Sequence, residues 1–130
     1  MTATHVLTIV AVADVQRAAA FYRAAFGWQT VVEVPPYVEF AMPDGRRFGV
    51  YKREGFALNT GATPVACPFG ATTATEIYFH CDDLDAAIAR IGAAGGRLLS
   101  ACAARDWGDE AAYFADLDGN VIVLARPIPR

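Results

Sequence analysis

The chain has 130 residues, a hydrophobic fraction of 55% and a formal net charge of −3. That length suits one domain with a core of its own. Its eleven basic residues are scattered along the sequence, which excludes the basic stripe that nucleic-acid phosphates require. The apolar run from Val6 to Ala13 is far shorter than the ~20 residues of a membrane span and has no basic segment before it, so neither a membrane partner nor a leader is expected. Cys67, Cys81 and Cys102 are odd in number and lack metal-ligand spacing. They are expected as small packed hydrophobes in a reducing compartment, the cytoplasm.

In chain order, His5 to Val12 is apolar and β-branched, and predicts a strand. Asp14 is placed to cap a helix by accepting from the free N–H groups of its first turn. From Val15 to Phe26 an apolar stripe of Val15, Ala18, Ala19, Tyr22 and Phe26 recurs at helical spacing, and Gly27 supplies the left-handed residue that ends it. Trp28 to Val34 predicts a strand, Pro35-Pro36 a break and Tyr37 to Ala41 a second strand. Asp44-Gly45 is a turn, and Arg47 to Lys52 a further strand.

The second half follows the same plan. Glu76 to Cys81 predicts a strand, Asp82-Asp83 a cap, and Leu84 to Ala94 a helix with Leu84, Ala87, Ile88 and Ile91 inward. Gly95-Gly96 ends it. Strands are expected at Leu98 to Cys102, Ala111 to Ala115 and Val121 to Ala125, with Asp118-Gly119 as the last turn. Asp14 and Asp83 stand 69 positions apart, as do Gly27 and Gly96, whereas Asp44 and Asp118 stand 74 apart. The fold class is therefore α+β, one domain made of two βαβββ modules: module one 1–53, a linker 54–75 and module two 76–130. The linker is rich in Gly, Ala, Thr and Pro. At ~3.3 Å per residue it would reach about 70 Å when extended, far enough to cross to a partner chain.

Two βαβββ modules in a chain of this length resemble the vicinal-oxygen-chelate superfamily, which includes glyoxalase I, bleomycin-resistance proteins and extradiol dioxygenases. The residues that carry the resemblance are Val12-Ala13-Asp14-Val15, Phe21-Tyr22 and Phe26-Gly27-Trp28 in the first half. In the second they are Cys81 to Asp85, Ala86-Ala87-Ile88, Asp106-Trp107-Gly108-Asp109 and Tyr113 to Ile122. The resemblance implies curved mixed sheets around a concave pocket. It also implies up to four metal-ligand positions, which fall here on Leu7, Gly49, Glu76 and Val123. Only Glu76 carries a donor, and a catalytic metal needs three or more protein ligands. No metal and no cofactor are therefore expected, and metal-dependent dioxygenase chemistry loses its support.

Strand alternation gives the expected lining. Glu76, Tyr78 and His80 share one face, as do His5, Leu7, Ile9 and Ala11, then Arg47, Gly49 and Tyr51, and finally Val121, Val123 and Ala125. The ligand-binding set is Leu7, Ile9, Arg47, Tyr51, Tyr78, Trp107 and Val123, an apolar and aromatic lining of the kind small molecules occupy. Plain structural roles stand beside these: Glu76 paired with a rim Arg, His80 bonded to a neighbouring strand, Arg47 as a solvated charge, and Tyr51, Tyr78 and Trp107 as packing. Two functions follow. One is a binding protein that holds an aromatic or amphipathic molecule. The other is a metal-independent lyase or isomerase in which Glu76, desolvated, is general base and His80 its acid partner, removing a proton next to a carbonyl. Four residues apart on a strand, Glu76 and His80 are about 13 Å apart, too far to share a metal. A homodimer is expected, because open sheets leave edges to be covered.

Overall fold

The computed structural model describes residues 2–129. The element order is β1 (Leu7–Val12), α1 (Val15–Phe26), β2 (Gln29–Val34), β3 (Tyr37–Ala41), β4 (Arg47–Lys52), α2 (Arg53–Thr60), β5 (Glu76–His80), α3 (Leu84–Ala94), β6 (Arg97–Ala104), β7 (Asp109–Ala115) and β8 (Val121–Pro127). These elements build two four-stranded mixed sheets, ordered β1-β4-β3-β2 and β5-β8-β7-β6. In each, the outer strand that precedes a helix pairs in parallel with the fourth strand, and the remaining pairings are antiparallel. The chain divides into two compact units: residues up to 23 with 27–66, and residues 24–26 with those from 67 onward.

The helix ends form as their residues dictate. Asp14 accepts from the backbone N–H of Arg17 at 3.1 Å, and Asp83 from that of Ala86 at 3.1 Å. Gly27 adopts φ 66° and closes α1 on the carbonyl of Arg23. In α3 the left-handed residue is Gly95, at φ 108°. Gly96 has an ordinary φ and lies close against Ile91.

The first unit buries an aromatic cluster between α1 and its sheet. Tyr22 stacks on Trp28 with centroids 6.0 Å apart, tilts against Phe48 at 4.7 Å, and meets Phe21 edge-on at 5.0 Å. In the second unit α3 packs on β8. Leu84, Ile91, Phe114, Ile122 and Leu124 are buried there. Ala87 and Ile88, expected inward, are only half-buried.

Three expectations need correction. The stretch 54–75 is not wholly a linker, since α2 starts at Arg53 and runs on through it to Thr60. That helix buries no residue, and it carries Gly55 because the ring of Tyr51 lies where a Cβ would stand, 2.4 Å from Tyr51 Cε1. The second hairpin is longer than anticipated, with β6 and β7 both extending beyond their predicted bounds and two register slips along β6. Cys102 is exposed rather than packed. Burial raises the pKa of the half-buried Cys81 thiol, which suits an inert packing role.

Candidate functional site

On the second sheet, β5 alternates cleanly: Glu76, Tyr78 and His80 are exposed, while Ile77 and Phe79 turn to the other face. The register sets Glu76 beside Val121, Tyr78 beside Val123 and His80 beside Ala125. Across β8, β7 places Tyr113 beside Val123, Ala111 beside Ala125 and Asp109 beside Pro127. The alanines at 111 and 125 carry only methyl groups in the row between His80 and β7. That leaves room for longer side chains to meet above them.

They meet at Asp109. Its Oδ2 accepts from the hydroxyl of Tyr78 at 2.5 Å and bonds Nε2 of His80 at 3.0 Å. The indole N–H of Trp107 donates to the hydroxyl of Tyr78 at 2.9 Å. Four side chains from β5, from the start of β7 and from the turn before it thus form one chain of hydrogen bonds. Gly108, at φ 94°, makes that turn possible, and its carbonyl is held by the N–H of Ile128 at 2.8 Å. Arg105 braces the hairpin from within by donating to the carbonyls of Ala101 and Ala111 and to Ser100 Oγ.

The electrostatics follow from this geometry. The bonds from Tyr78 and then His80 stabilise the charged carboxylate and hold Asp109 below the usual aspartate range. Desolvation, then the bond to Asp109, raises the Tyr78 phenol above its ordinary value, so it remains a protonated donor. A carboxylate only accepts, so Nε2 of His80 carries the hydrogen of this bond, and in the neutral imidazole Nδ1 is then the acceptor.

The remaining anticipated residues have varied settings. Glu76 is exposed, and no other described side chain bonds it. Val123 lies on the expected face but has no exposed surface. With Ala111 and Ala125 it forms an apolar floor, packed by Tyr113 and Val121. Trp107, expected to pack over the sheet, is 56% exposed while its indole N–H is tied down. Asp109 sits at a strand start with the same parity as Tyr113, and even-numbered counting back from Tyr113 was the signal for it.

On the first sheet, Leu7, Ile9, Arg47, Gly49 and Tyr51 share one face, with Leu7 beside Arg47 and Ile9 beside Gly49. His5 lies before β1, exposed, and bonds Thr8. Tyr37 and Glu39, whose facing the sequence left undetermined, join this face: Tyr37 pairs with Tyr51 and Glu39 with Gly49. The hydroxyl of Tyr37 donates to Glu39 at 2.5 Å, and Arg47 donates to the other oxygen of Glu39 at 2.9 Å. Arg47 is therefore ion-paired rather than simply solvated. Burial, then the bond to Glu39, raises the Tyr37 phenol. A cleft of about 360 Å3 is lined by Val6, Leu7, Glu39, Gly45 and Arg47.

The four metal-ligand positions implied by the resemblance do not fit a metal. Leu7, Gly49 and Val123 have no donor. A Cβ at Gly49 would stand 2.4 Å from the Tyr37 oxygen, so the phenol already fills that place. Among the described residues no group of three or more His, Cys, Asp or Glu is placed to hold an ion. Gly49→Ala is expected to destabilise the fold by about 1–3 kcal/mol, because it overpacks against Tyr37. In a Tyr37→Ala background the same change should cost little. A double-mutant cycle by denaturant unfolding measures the difference.

Comparison with known proteins agrees with this architecture. The chain is similar to the structure of a glyoxalase-related enzyme from Fulvimarina pelagi, at 22% identity over 93% of this chain and 86% of that one, with a TM-score of 0.81. It is also similar to a glyoxalase/bleomycin resistance protein/dioxygenase from Nocardioides (19% identity, 98% and 85% covered, TM-score 0.80). A glyoxalase/bleomycin resistance protein/dioxygenase family enzyme from Burkholderia phytofirmans PsJN is similar too (20% identity, 97% and 100% covered, TM-score 0.80). At these identities the likeness is one of fold. None of the curated proteins matches the chain. The sequence profile of one family spans residues 2–124. The chain belongs to the Glyoxalase/Bleomycin resistance protein/Dioxygenase superfamily.

Proposed function

We propose that the chain is a binding protein for a small planar aromatic or amphipathic molecule, held against the exposed face of the second sheet without the family's metal site. The observation that carries this is the pairing of Trp107 and Tyr78. Both rings are exposed, at 56% and 38%, yet a hydrogen bond fixes them to one another and to Asp109. Exposed aromatics held in one orientation suit ligand stacking at low entropic cost.

The two tryptophans differ in a way that gives a direct test. Trp28 is 8% exposed and Trp107 is 56% exposed. A panel of planar aromatic compounds should contain members that quench the emission of Trp107 saturably and leave that of Trp28 unchanged. Trp107→Ala should then weaken those members by about 0.5–1.5 kcal/mol, read by calorimetry. If Trp107→Ala binds every such compound as tightly as the parent, the site lies elsewhere.

The chain is further proposed to be a cytoplasmic homodimer. Three free cysteines support the reducing compartment. The open edge strands support the dimer: β2 exposes Val31, Val32 and Val34, and β6 exposes Leu98 and Leu99. Among the described residues no helix is long and apolar enough to cross a membrane. Sedimentation at micromolar concentration should report about twice 13.9 kDa. A clean monomer would refute the assembly.

A further inference from the structure

We propose that His80, positioned by Asp109, acts as a general base that takes an acidic C–H proton from a neutral planar ligand lying on Trp107 and Tyr78. This rests on the ligand-binding reading above and adds a reaction to it. Asp109 commits one oxygen to both Tyr78 and Nε2 of His80, and no Lys or Arg bonds it among the described residues. Among the described side chains the carboxylate's charge is therefore shared between the phenol and the imidazole, with no cation to neutralise it. Nδ1 lies across the ring from Nε2, away from Asp109, and has no partner among the described residues. The His80 side chain is 57% exposed, so Nδ1, the acceptor of the neutral ring, is open to a ligand. The rings of Tyr78 and His80 meet edge-on with centroids 5.9 Å apart, which puts the base beside the proposed stacking surface.

In the step, the C–H bond of the ligand breaks and the proton passes to Nδ1. The bonding pair stays in the ligand and is delocalised into its π system or expels a leaving atom. The imidazolium that forms is balanced by the Asp109 carboxylate, and it returns the proton to another atom of the ligand or to water. Neither oxidant nor metal enters the balance. Tyr78 is a positioning residue here, because its own hydrogen is committed to Asp109 and its oxygen accepts from Trp107. The exposed carboxylate of Glu76 lies on the same face of β5 and bonds neither group.

The probe is 5-nitro-1,2-benzisoxazole, a flat, neutral molecule with one acidic C–H. Loss of that proton breaks its N–O bond, turns the released pair into a nitrile and frees a coloured phenolate, so colour reports the base alone. The parent chain should accelerate this reaction saturably. His80→Gln should lower turnover about 100-fold or more, in the range general-base catalysis supplies, while the concentration that half-quenches Trp107 moves only a few-fold. Asp109→Asn should also lower turnover, since an amide can donate to Nε2 and shift the ring hydrogen to Nδ1. Free imidazole should restore turnover to His80→Ala and not to Asp109→Asn, an outcome that a purely structural role would not give. Circular dichroism checks that each variant is folded, and His80→Asn replaces any that is not. Quenching by the probe with equal turnover in the parent and His80→Gln overturns the base and leaves the binding reading standing. Failure of the probe to quench Trp107 counts against both.

Discussion

Tyr22→Ala is expected to remove about 3–5 kcal/mol of stability, a large share of the ~5–15 kcal/mol that holds a domain of this size folded. Tyr22 is 1% exposed at the centre of the first unit's aromatic cluster. Its ring is parallel to that of Trp28 within 7° and touches Phe21 and Phe48. Trp28 in turn leans on Phe40 at 6.2 Å and on Phe48 at 5.7 Å. Truncation opens a cavity among rigid rings that cannot collapse into it, which puts the cost at the upper end of such changes. Tyr22→Phe keeps the ring stack and separates the hydroxyl from the packing. Denaturant unfolding should place Tyr22→Ala far below Tyr22→Phe, and the near-ultraviolet signal of the buried Trp28 should fall in step. Equal midpoints for the two variants would show that the ring itself contributes little.

Within the aromatic core Tyr22 was legible because it falls in a helical stripe, a periodicity the chain states directly, whereas Phe21, Trp28, Phe40 and Phe48 join it through contacts that no periodicity names. The caps at Asp14, Gly27 and Asp83 were legible too, as local chemistry. Other features depended on neighbours the sequence cannot name. The helix α2 has no apolar stripe and contains Gly55, so its composition reads as a linker. Only the ring of Tyr51 explains that glycine. The facing of Tyr37 and Glu39 was hidden because Pro35-Pro36 interrupts the chain and the β2–β3 register slips between Thr30 and Val32, so parity cannot be carried through.

The candidate site divides along the same line. Alternation alone put Glu76, Tyr78 and His80 on one face of β5. It could not join them to Asp109, because that contact spans β8 and depends on Ala111 and Ala125 being small. It placed Val123 on the right face but could not report that Tyr113 and Val121 pack against it. Glu76, whose exposed carboxylate bonds no other described side chain, thus stands apart from the residues gathered at Asp109.

Asp116→Ala is expected to cost about 2–4 kcal/mol and to release the segment before β5. Asp116 is 6% exposed. Its Oδ1 accepts from the backbone N–H groups of Asp118 at 2.9 Å and Asn120 at 2.8 Å, and its Oδ2 from the Asn120 amide at 3.0 Å. Asn120, itself buried, then accepts from Thr73 Oγ1 at 2.8 Å, while the N–H of Thr73 bonds the carbonyl of Gly119 at 2.8 Å. One carboxylate thus satisfies the β7–β8 turn and, through Asn120, ties residues 73–75 to it. Removing it strands buried donors whose desolvation is no longer repaid, and each such loss costs about 1–3 kcal/mol. The first unit supplies an internal control. Its β3–β4 turn has the same backbone bonds, Met42 to Arg46 and Gly45 to Met42, but Met42 stands where Asp116 does, and the turn's carboxylate is the exposed Asp44, the counterpart of Asp118, bonded to Arg46. Asp44→Ala should therefore change stability far less than Asp116→Ala. Denaturant unfolding compares the two substitutions, and hydrogen exchange should show faster exchange at Thr73 and Thr75 in Asp116→Ala alone. Equal losses from both variants would mean that burial adds nothing to the second turn.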